Sequence, residues 1–280
     1  MSATPTHLDD IGALARQGAL FVINHSGGKD SQCQTIEVLR VVPRAQVLVV
    51  HATLGDIEWP GALELARDQA ADAGVPFVVA EGRWRDGSRK TLLGMVEAQF
   101  ARRPEVPSWP SSDARYCTSD LKRNPIAREI RAWARPRGFS IIVSVEGIRA
   151  AESAKRARDK PFELMGRQYT NSVWAWYRWL PIHAFSTDEV FASIEAAGQR
   201  PHWAYAEGNE RLSCLFCVFG SANDWAHAAE RAPGIAARYR ALERMTGYTA
   251  HQNRRPIDEI VAAGRTRLID RRAVLPIAAE

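Results

Sequence analysis

The sequence lacks any apolar run of the ~18 residues that a membrane-spanning helix needs. It also lacks, at its start, the basic segment followed by an apolar segment that is typical of a secretory signal. Hydrophobic residues make up 46% of the chain and charged residues 25%, values that exclude a disordered or collagen-like protein. We therefore expect a globular, cytoplasmic protein without a membrane partner.

Charge of either sign is present without a strong excess. The chain has 37 Lys and Arg against 32 Asp and Glu, a net charge of +5, which suits a protein that handles anionic nucleotides or nucleic acids. Arginines are frequent near the end of the chain, where they could follow a nucleic-acid backbone or simply form a solvated helix face. These residues are Arg254, Arg255, Arg265, Arg267, Arg271 and Arg272.

Cysteine is scarce, with only four residues in the chain. In an intracellular protein so few cysteines do not indicate a disulfide framework, whereas the CxxC spacing of Cys214 and Cys217 indicates metal or redox chemistry. With Cys117 they provide three thiolates, a set that suits zinc with a fourth ligand or an iron–sulfur cluster with one open iron. Small buried side chains without chemistry are the alternative.

Short apolar runs alternate with helical patterns along most of the chain. This alternation is typical of βαβ units and predicts a parallel sheet. The pattern becomes mostly helical and basic after residue 220, so we expect an α/β domain over residues 1–220 and a helical C-terminal cap over residues 221–280. The apolar runs cover residues 19–24, 46–51, 76–80 and 139–144, and the helical patterns cover residues 8–16, 31–41, 61–73 and 118–135.

A glycine-rich loop follows the first apolar run. The run ends at Asn24, the segment Ser26-Gly27-Gly28-Lys29-Asp30 follows, and a helical pattern begins at Ser31. Two adjacent glycines allow backbone conformations that other residues avoid, and backbone N–H groups at a helix start favour phosphate or sulfate. The segment is not a Walker A loop, because Ile23 stands where that motif needs glycine and Asp30 where it needs Ser or Thr.

This loop resembles the SGGxDS loop of the PP-loop superfamily, the N-type ATP pyrophosphatases. The resemblance implies a doubly wound, mostly parallel sheet with helices on both faces. It also implies an adenine nucleotide as substrate: either ATP, cleaved with Mg²⁺ between its α and β phosphates, or an adenylylated sulfate such as PAPS. The phosphates or sulfonate would be bound by Ser26, Gly27, Gly28, Asp30 and Ser31.

Two later blocks resemble the PAPS reductases of this superfamily. Thr53 and Gly55 lie in a block similar to DTG-x-E-x-P, although Ala52 stands in place of its Asp. A block similar to G-[LI]-R-x-x-[DE]-S-x-x-R follows the fourth apolar run. Because its two arginines are seven residues apart, a helix would place both on one face. We predict that the nucleotide is contacted here by Thr53, Gly55, Gly147, Arg149 and Arg156.

The cysteines distinguish branches of the superfamily. Adenylylsulfate reductases have a Cys–Cys pair before their CxxC, but Tyr116 stands here in place of the first cysteine. Thiol-dependent PAPS reductases use a cysteine near the C-terminus, and no cysteine follows Cys217. The three-cysteine set is more similar to that of the tRNA-thiolating members. Cys117, Cys214 and Cys217 are thus predicted to bind a [4Fe-4S] cluster, with zinc as the alternative.

The leading hypothesis is an enzyme that adenylates an acceptor for sulfur transfer. Lys29, Asp30, Arg149 and Arg156 would be its catalytic residues, and pyrophosphate would leave as the acceptor is adenylated. DNA or tRNA is the expected acceptor, with a cysteine desulfurase or another sulfur donor as partner and a homodimer as a further expectation. A PAPS or adenylylsulfate reductase with an atypical thiol donor and a non-catalytic nucleotide-binding subunit are the alternatives.

Overall fold

The computed structural model describes the backbone of residues 4–272 and the side chains of residues 4–264. The chain divides into two compact units. The first contains Met1–Ala52, Gly61–Ala80 and Ile126–His202, and the second contains Thr53–Pro60, Glu81–Pro125 and Trp203–Glu280. The predicted boundary near residue 220 stays a prediction.

The first unit contains a six-stranded sheet with the strand order β3-β2-β1-β4-β6-β5. Every neighbouring pair is parallel except β5 and β6, which are antiparallel. The predicted α/β fold with a mostly parallel sheet is therefore confirmed. The strands are β1 (Leu20–Asn24), β2 (Val47–Ala52), β3 (Phe77–Ala80), β4 (Ile141–Val145), β5 (Phe162–Leu164) and β6 (Ala175–Trp179).

Helices lie in both units. The first unit contains α1 (Leu8–Arg16), α2 (Lys29–Val41), α3 (Ala62–Asp72), most of α6 (Asn124–Ala134) and α7 (Thr187–Ala196). The second contains α4 (Leu92–Arg102), α5 (Tyr116–Thr118), α8 (Ala222–Arg231), α9 (Pro233–Thr246) and α10 (Ile257–Arg272). Among the described residues, no helix is long and apolar enough to cross a membrane.

Alternate residues of the central strands face two separate hydrophobic clusters. Phe21 and Ile23 of β1 pack in a cluster with residues of α1, α2 and α3, whereas Leu20 and Val22 pack in a cluster with residues of α6. Successive side chains of a strand point to opposite faces, so a continuous apolar run is buried on both. This explains why β1 has no polar residue before Asn24, and it confirms helices on both faces of the sheet.

The direction in which successive strands are added to the sheet reverses beside β1, although β1 is parallel to both of its neighbours. The connection from β1 leads to β2 on one side, while β4 pairs with β1 on the other side. In doubly wound sheets, ligands bind at such a point, outside the carboxyl ends of the strands. Asn24 ties these two ends together, because its Nδ2 donates to Ser144 Oγ at 2.9 Å and to the Val145 carbonyl at 2.9 Å.

The predicted helix over residues 118–135 is confirmed, because helical residues run without interruption from Tyr116 to Ala134, but one of its turns is π-helical. A short helical turn at Tyr116–Thr118 is followed by a π-helical turn at Ser119–Arg123, and only then does α6 begin at Asn124. Pro125 has no N–H to donate to the preceding turn, which favours the wider π-helical turn at this place. The π-helical turn begins two residues after Cys117.

Close packing of α8 against α10 depends on one glycine. A Cβ atom added to Gly264 would overlap the Ala222 carbonyl oxygen and would lie 2.8 Å from Ala226 Cβ. Only a hydrogen at this position lets the two helices approach so closely.

We expect Gly264→Ala to lower the free energy of unfolding by about 1–3 kcal/mol, since the methyl group has no room. Gly234→Ala in α9 is the matched control, because a Cβ there meets nothing within 4 Å. Urea denaturation of both variants tests this expectation. Equal stability of Gly264→Ala and the wild type would contradict the packing described.

Candidate functional site

The glycine-rich loop joins β1 to α2 in the first unit, as predicted. Gly27 has φ = +76°, and a Cβ atom at this residue would lie 2.5 Å from the Ala62 carbonyl oxygen at the start of α3. Gly28 precedes the first helical residue, Lys29. Glycine at position 27 is therefore required twice, by the left-handed backbone and by the contact with α3.

A buried histidine holds this loop in shape. His25 Nδ1 accepts a hydrogen bond from the Gly27 N–H at 3.0 Å, and Nε2 lies 2.6 Å from Gln69 Oε1. The ring is therefore neutral with its proton on Nε2, and burial lowers the pKa of His25 to about 4. The sequence prediction missed both residues, since Gln69 lies on α3 and only the polar character of residue 25 hinted at a role.

The two serines of the loop face each other. Ser31 Oγ donates to the Gly28 carbonyl at 2.8 Å and accepts from the Ser26 N–H at 3.2 Å, while the two hydroxyl oxygens are 3.3 Å apart. These bonds bring Ser26, Gly28 and Ser31 together at the start of α2. The first N–H groups of a helix have no acceptor within the helix, so this turn offers donors to an anion.

Asp30 lies between two cations. Its Oδ2 is 3.0 Å from Lys29 Nζ, and its Oδ1 accepts from Arg149 Nε at 2.7 Å. The side chains of Lys29 and Arg149 are 6% and 4% exposed, whereas that of Asp30 is 24% exposed. Arg149 also donates from Nη1 to the Phe185 carbonyl at 3.2 Å. Three of the predicted catalytic residues are thus assembled on the carboxyl side of β1 and β4.

Gly147 and Arg156 complete the predicted set in the first unit, but not on a helix. Arg149 has extended backbone geometry and Arg156 begins a separate 3₁₀ turn, so the expected shared helix face is wrong. The link is Glu152, which accepts from the Arg149 N–H at 3.0 Å and forms an ion pair with Arg156. Gly147 is needed because a Cβ there would lie 3.0 Å from the Asp30 carbonyl.

Thr53 and Gly55 belong to the second unit. Thr53 Oγ1 donates to Glu58 Oε2 at 3.1 Å and accepts from Arg89 Nη2 at 3.1 Å. The Arg89 guanidinium carbon lies 2.9 Å from where a Cβ of Gly55 would be. Arg89 and Glu58 were not among the predicted site residues. Nucleotide binding by Thr53 and Gly55 stays a prediction.

The three predicted metal-binding cysteines line one cavity in the second unit. Its volume is about 60 Å³, and its walls also include Arg115, Lys122 and Phe219. The CxxC segment is fixed by its backbone, since the Cys217 carbonyl accepts from Trp225 Nε1 at 2.7 Å and from the Gly220 N–H at 2.7 Å.

The CxxC cysteines differ strongly in acidity. A hydrogen bond from the Cys214 thiol lowers the pKa of Cys217, with further help from the Phe219 N–H and the Lys122 charge against the effect of burial. The same bond raises the pKa of Cys214, and burial raises that of Cys117. Of the two CxxC cysteines, Cys217 is therefore the one whose thiolate is stabilised, with the Cys214 thiol as its donor.

Within the described part of the chain, no group of three or more His, Cys, Asp or Glu residues is arranged to hold a metal ion. The cluster and zinc predicted from the spacing of Cys117, Cys214 and Cys217 stay predictions, and no step below passes through either.

We expect Cys214→Ala to raise the pKa of Cys217 toward its usual value, because the variant loses the main donor to the thiolate. Alkylation of Cys217 by iodoacetamide at pH 6 should then slow by at least about tenfold. Cys214→Ser is the control, since its hydroxyl still donates. Mass spectrometry of the Cys217 peptide between pH 4 and 9 measures both. An unchanged pH profile in Cys214→Ala would refute the thiol–thiolate pair.

No protein-family model matches the chain. A protein of Escherichia phage 186, described as an uncharacterized 37.8 kDa protein in the gpa 5′ region, is 26% identical over 262 residues, covering 82% of this chain and 76% of the phage protein.

Two solved structures are enzymes named for adenine nucleotides. An NH₃-dependent NAD synthetase from Campylobacter jejuni has a TM-score of 0.40 and 11% identity, covering 98% of this chain and 96% of its own. A PAPS reductase from Candida auris, solved with phosphate, has a TM-score of 0.45 and 14% identity, covering 76% and 97%. At these values the function must be argued from the residues of the chain itself.

Proposed function

We propose that the chain is a nucleotide-dependent enzyme that cleaves ATP between its α and β phosphates and adenylates an acceptor for sulfur transfer. The observation that supports this most is the Asp30 carboxylate between Lys29 Nζ at 3.0 Å and Arg149 Nε at 2.7 Å. These groups lie at the start of α2, directly after a loop whose glycine backbone and N–H groups favour phosphate.

In this arrangement a nucleotide phosphate could replace the Asp30 carboxylate as the anionic partner of Lys29 and Arg149. Without nucleotide, Asp30 satisfies two nearly buried cations whose charge would otherwise be costly to bury. When a triphosphate binds at the loop, Lys29 and Arg149 contact the phosphate oxygens and neutralise the charge that develops as pyrophosphate leaves. Arg149 is suited to this role because a guanidinium can bind two phosphate oxygens at once.

Magnesium fits the residues that are present. Asp30 is the partly exposed carboxylate at this place, and Mg²⁺ is usually bound in proteins by one or two carboxylates together with substrate phosphates. Asp30 would be its protein ligand. When bound, the ion would neutralise phosphate charge. The protein itself would hold the Asp30 carboxylate next to the Lys29 and Arg149 side chains.

The acceptor and the sulfur chemistry are the finer parts of the proposal. A nucleic acid, DNA or tRNA, is the acceptor we propose, and a cysteine desulfurase or similar protein is the sulfur donor. Cys217 is the sulfur nucleophile of the cavity, since the hydrogen bond from Cys214 stabilises its thiolate form. Basic Arg115 and Lys122 in the cavity wall favour an anionic reactant.

The thiol–thiolate pair supports a second candidate, reduction of PAPS or adenylylsulfate. Attack by the Cys217 thiolate on the sulfonate sulfur would release the nucleotide and leave S-sulfocysteine. Cys214 would then attack the Cys217 sulfur, releasing sulfite and forming a disulfide, which an external dithiol would reduce. This route does not need a C-terminal cysteine.

One anaerobic experiment separates the two candidates. The protein is incubated with Mg²⁺, α-labelled ATP and mixed tRNA and DNA, both as purified and after reconstitution with iron and sulfide, beside a sample with PAPS and a dithiol. We expect AMP and pyrophosphate from ATP. Sulfite from PAPS with intact ATP would favour reduction, and neither product would contradict both.

We expect Asp30→Asn to reduce AMP formation by at least about a hundredfold, because the variant loses the carboxylate that positions Lys29 and Arg149 and would hold Mg²⁺, the groups proposed to stabilise the transition-state charge. Arg149→Lys should also fail, because lysine cannot bind Asp30 and phosphate in the same fork. Asp68→Asn, at an exposed carboxylate on α3, is the control and should be as active as the wild type. Unchanged turnover in Asp30→Asn would overturn the assignment.

A further inference from the structure

We infer that residues 81–90 form a hairpin that binds single-stranded nucleic acid, with Trp84 as a platform for base stacking. This segment, called the Trp84 hairpin below, has the sequence EGRWRDGSRK and lies in the second unit. The inference deepens the proposed function, in which a nucleic acid is the acceptor. The hairpin itself is argued from its own side chains.

The hairpin is held rigid by its backbone. The Trp84 N–H donates to the Ser88 carbonyl at 2.9 Å, the Lys90 N–H donates to the Gly82 carbonyl at 2.8 Å, and Arg83 and Arg89 pair between them. At the tip, Asp86 Oδ1 accepts from the Ser88 N–H at 2.9 Å. A preformed loop of this kind loses little conformational freedom when a ligand binds.

Trp84 is one of two tryptophans with a strongly exposed side chain. Of nine in the sequence, six are at most 5% exposed, whereas Trp84 is 36% and Trp203 is 37% exposed. The Nε1 of Trp203 is used by a hydrogen bond to the Pro60 carbonyl at 3.0 Å. In both residues a cation lies over one face of the ring, Arg231 over Trp203 and Lys90 over Trp84, with the Lys90 ammonium 4.8 Å from the ring centre. A base would therefore stack on the face of Trp84 opposite Lys90.

Basic side chains surround this aromatic ring. The hairpin has four basic and two acidic residues. Glu81 is shared by Arg83, at 2.7 Å, and Arg89, at 2.8 Å, so these two guanidinium groups have one carboxylate between them. Arg85 is exposed and has no ion pair among the described residues. An anionic partner would therefore find arginine donors on both sides of Trp84 along the chain.

An aromatic ring among arginines fits a single strand better than a duplex. Bases of a single strand can stack on an aromatic side chain while the backbone phosphates contact cations, and such binding is largely independent of sequence. In a duplex the faces of each base are already stacked on neighbouring base pairs, so no base face is free to stack on Trp84. The partner we infer is therefore an unpaired stretch of DNA or RNA.

The test is fluorescence anisotropy with a labelled 20-nucleotide single-stranded DNA, a matching RNA and a matching DNA duplex. We expect the full chain to bind the single strands more tightly than the duplex. Trp84→Ala should weaken single-strand binding by about 5- to 100-fold, the effect of losing one stacked base. Trp84→Phe should keep most of the affinity, because it keeps an aromatic face.

Arg85→Gln should reduce the slope of log affinity against log salt by about 0.7, the value for one phosphate contact on a single strand. Arg244→Gln, at an exposed arginine on α9, is the matched control and should leave the slope unchanged. Lack of single-strand binding, equal binding of strand and duplex, or full affinity in Trp84→Ala would each overturn the inference.

The measurements contain no ATP, so they are separate from the test of the proposed function. Binding that depends on Trp84 without AMP formation would support the hairpin and contradict adenylation. AMP formation with an Asp30 dependence but without single-strand binding would contradict the hairpin alone.

Discussion

The contact between Asp30 and Arg149 is the interaction on which the candidate site depends. It joins the first turn of α2 to the segment that follows β4, with a distance of 2.7 Å between Oδ1 and Nε. Arg149 is almost fully buried, and an unpaired buried charge would be strongly destabilising. The same pairing that stabilises the loop therefore keeps a guanidinium beside the loop that is proposed to bind a nucleotide phosphate.

Steric and hydrogen-bond constraints both hold the glycine-rich loop in one conformation. Gly27 must lie against Ala62, and His25 and Gln69 hold the peptide of Gly27 in that position. His25 can do this at neutral pH because burial keeps it uncharged, with a pKa of about 4. A loop that is preorganised in this way offers its N–H groups to an anion without reorganisation when the ligand arrives.

Much of the fold could be predicted from the sequence because its signals are local. The apolar runs at β1, β2 and β4 indicate strands that are buried on both faces of a parallel sheet. The adjacent Gly27 and Gly28 indicate the loop between β1 and α2. The π-helical turn before α6 was not predicted, because helical periodicity does not distinguish one π-helical turn from a regular helix. The helix face expected for Arg149 and Arg156 was wrong because Glu152, through two short turns, organises that segment instead.

The thiol chemistry could be predicted only in part. The CxxC spacing placed Cys214 and Cys217 side by side, but their protonation depends on the bond between them and on Lys122, which is distant in sequence. Likewise, Trp84 gave no signal in composition, because a tryptophan is buried by default and only the hairpin geometry exposes it.

The most direct test of the account is an NMR titration of the ¹⁵N-labelled protein with inorganic pyrophosphate, the product that the loop is proposed to hold. The account predicts that the backbone amides of Gly27, Gly28, Lys29 and Asp30 shift together and that the Arg149 Nε–H signal moves with them. Saturable shifts elsewhere with these signals unmoved would contradict it.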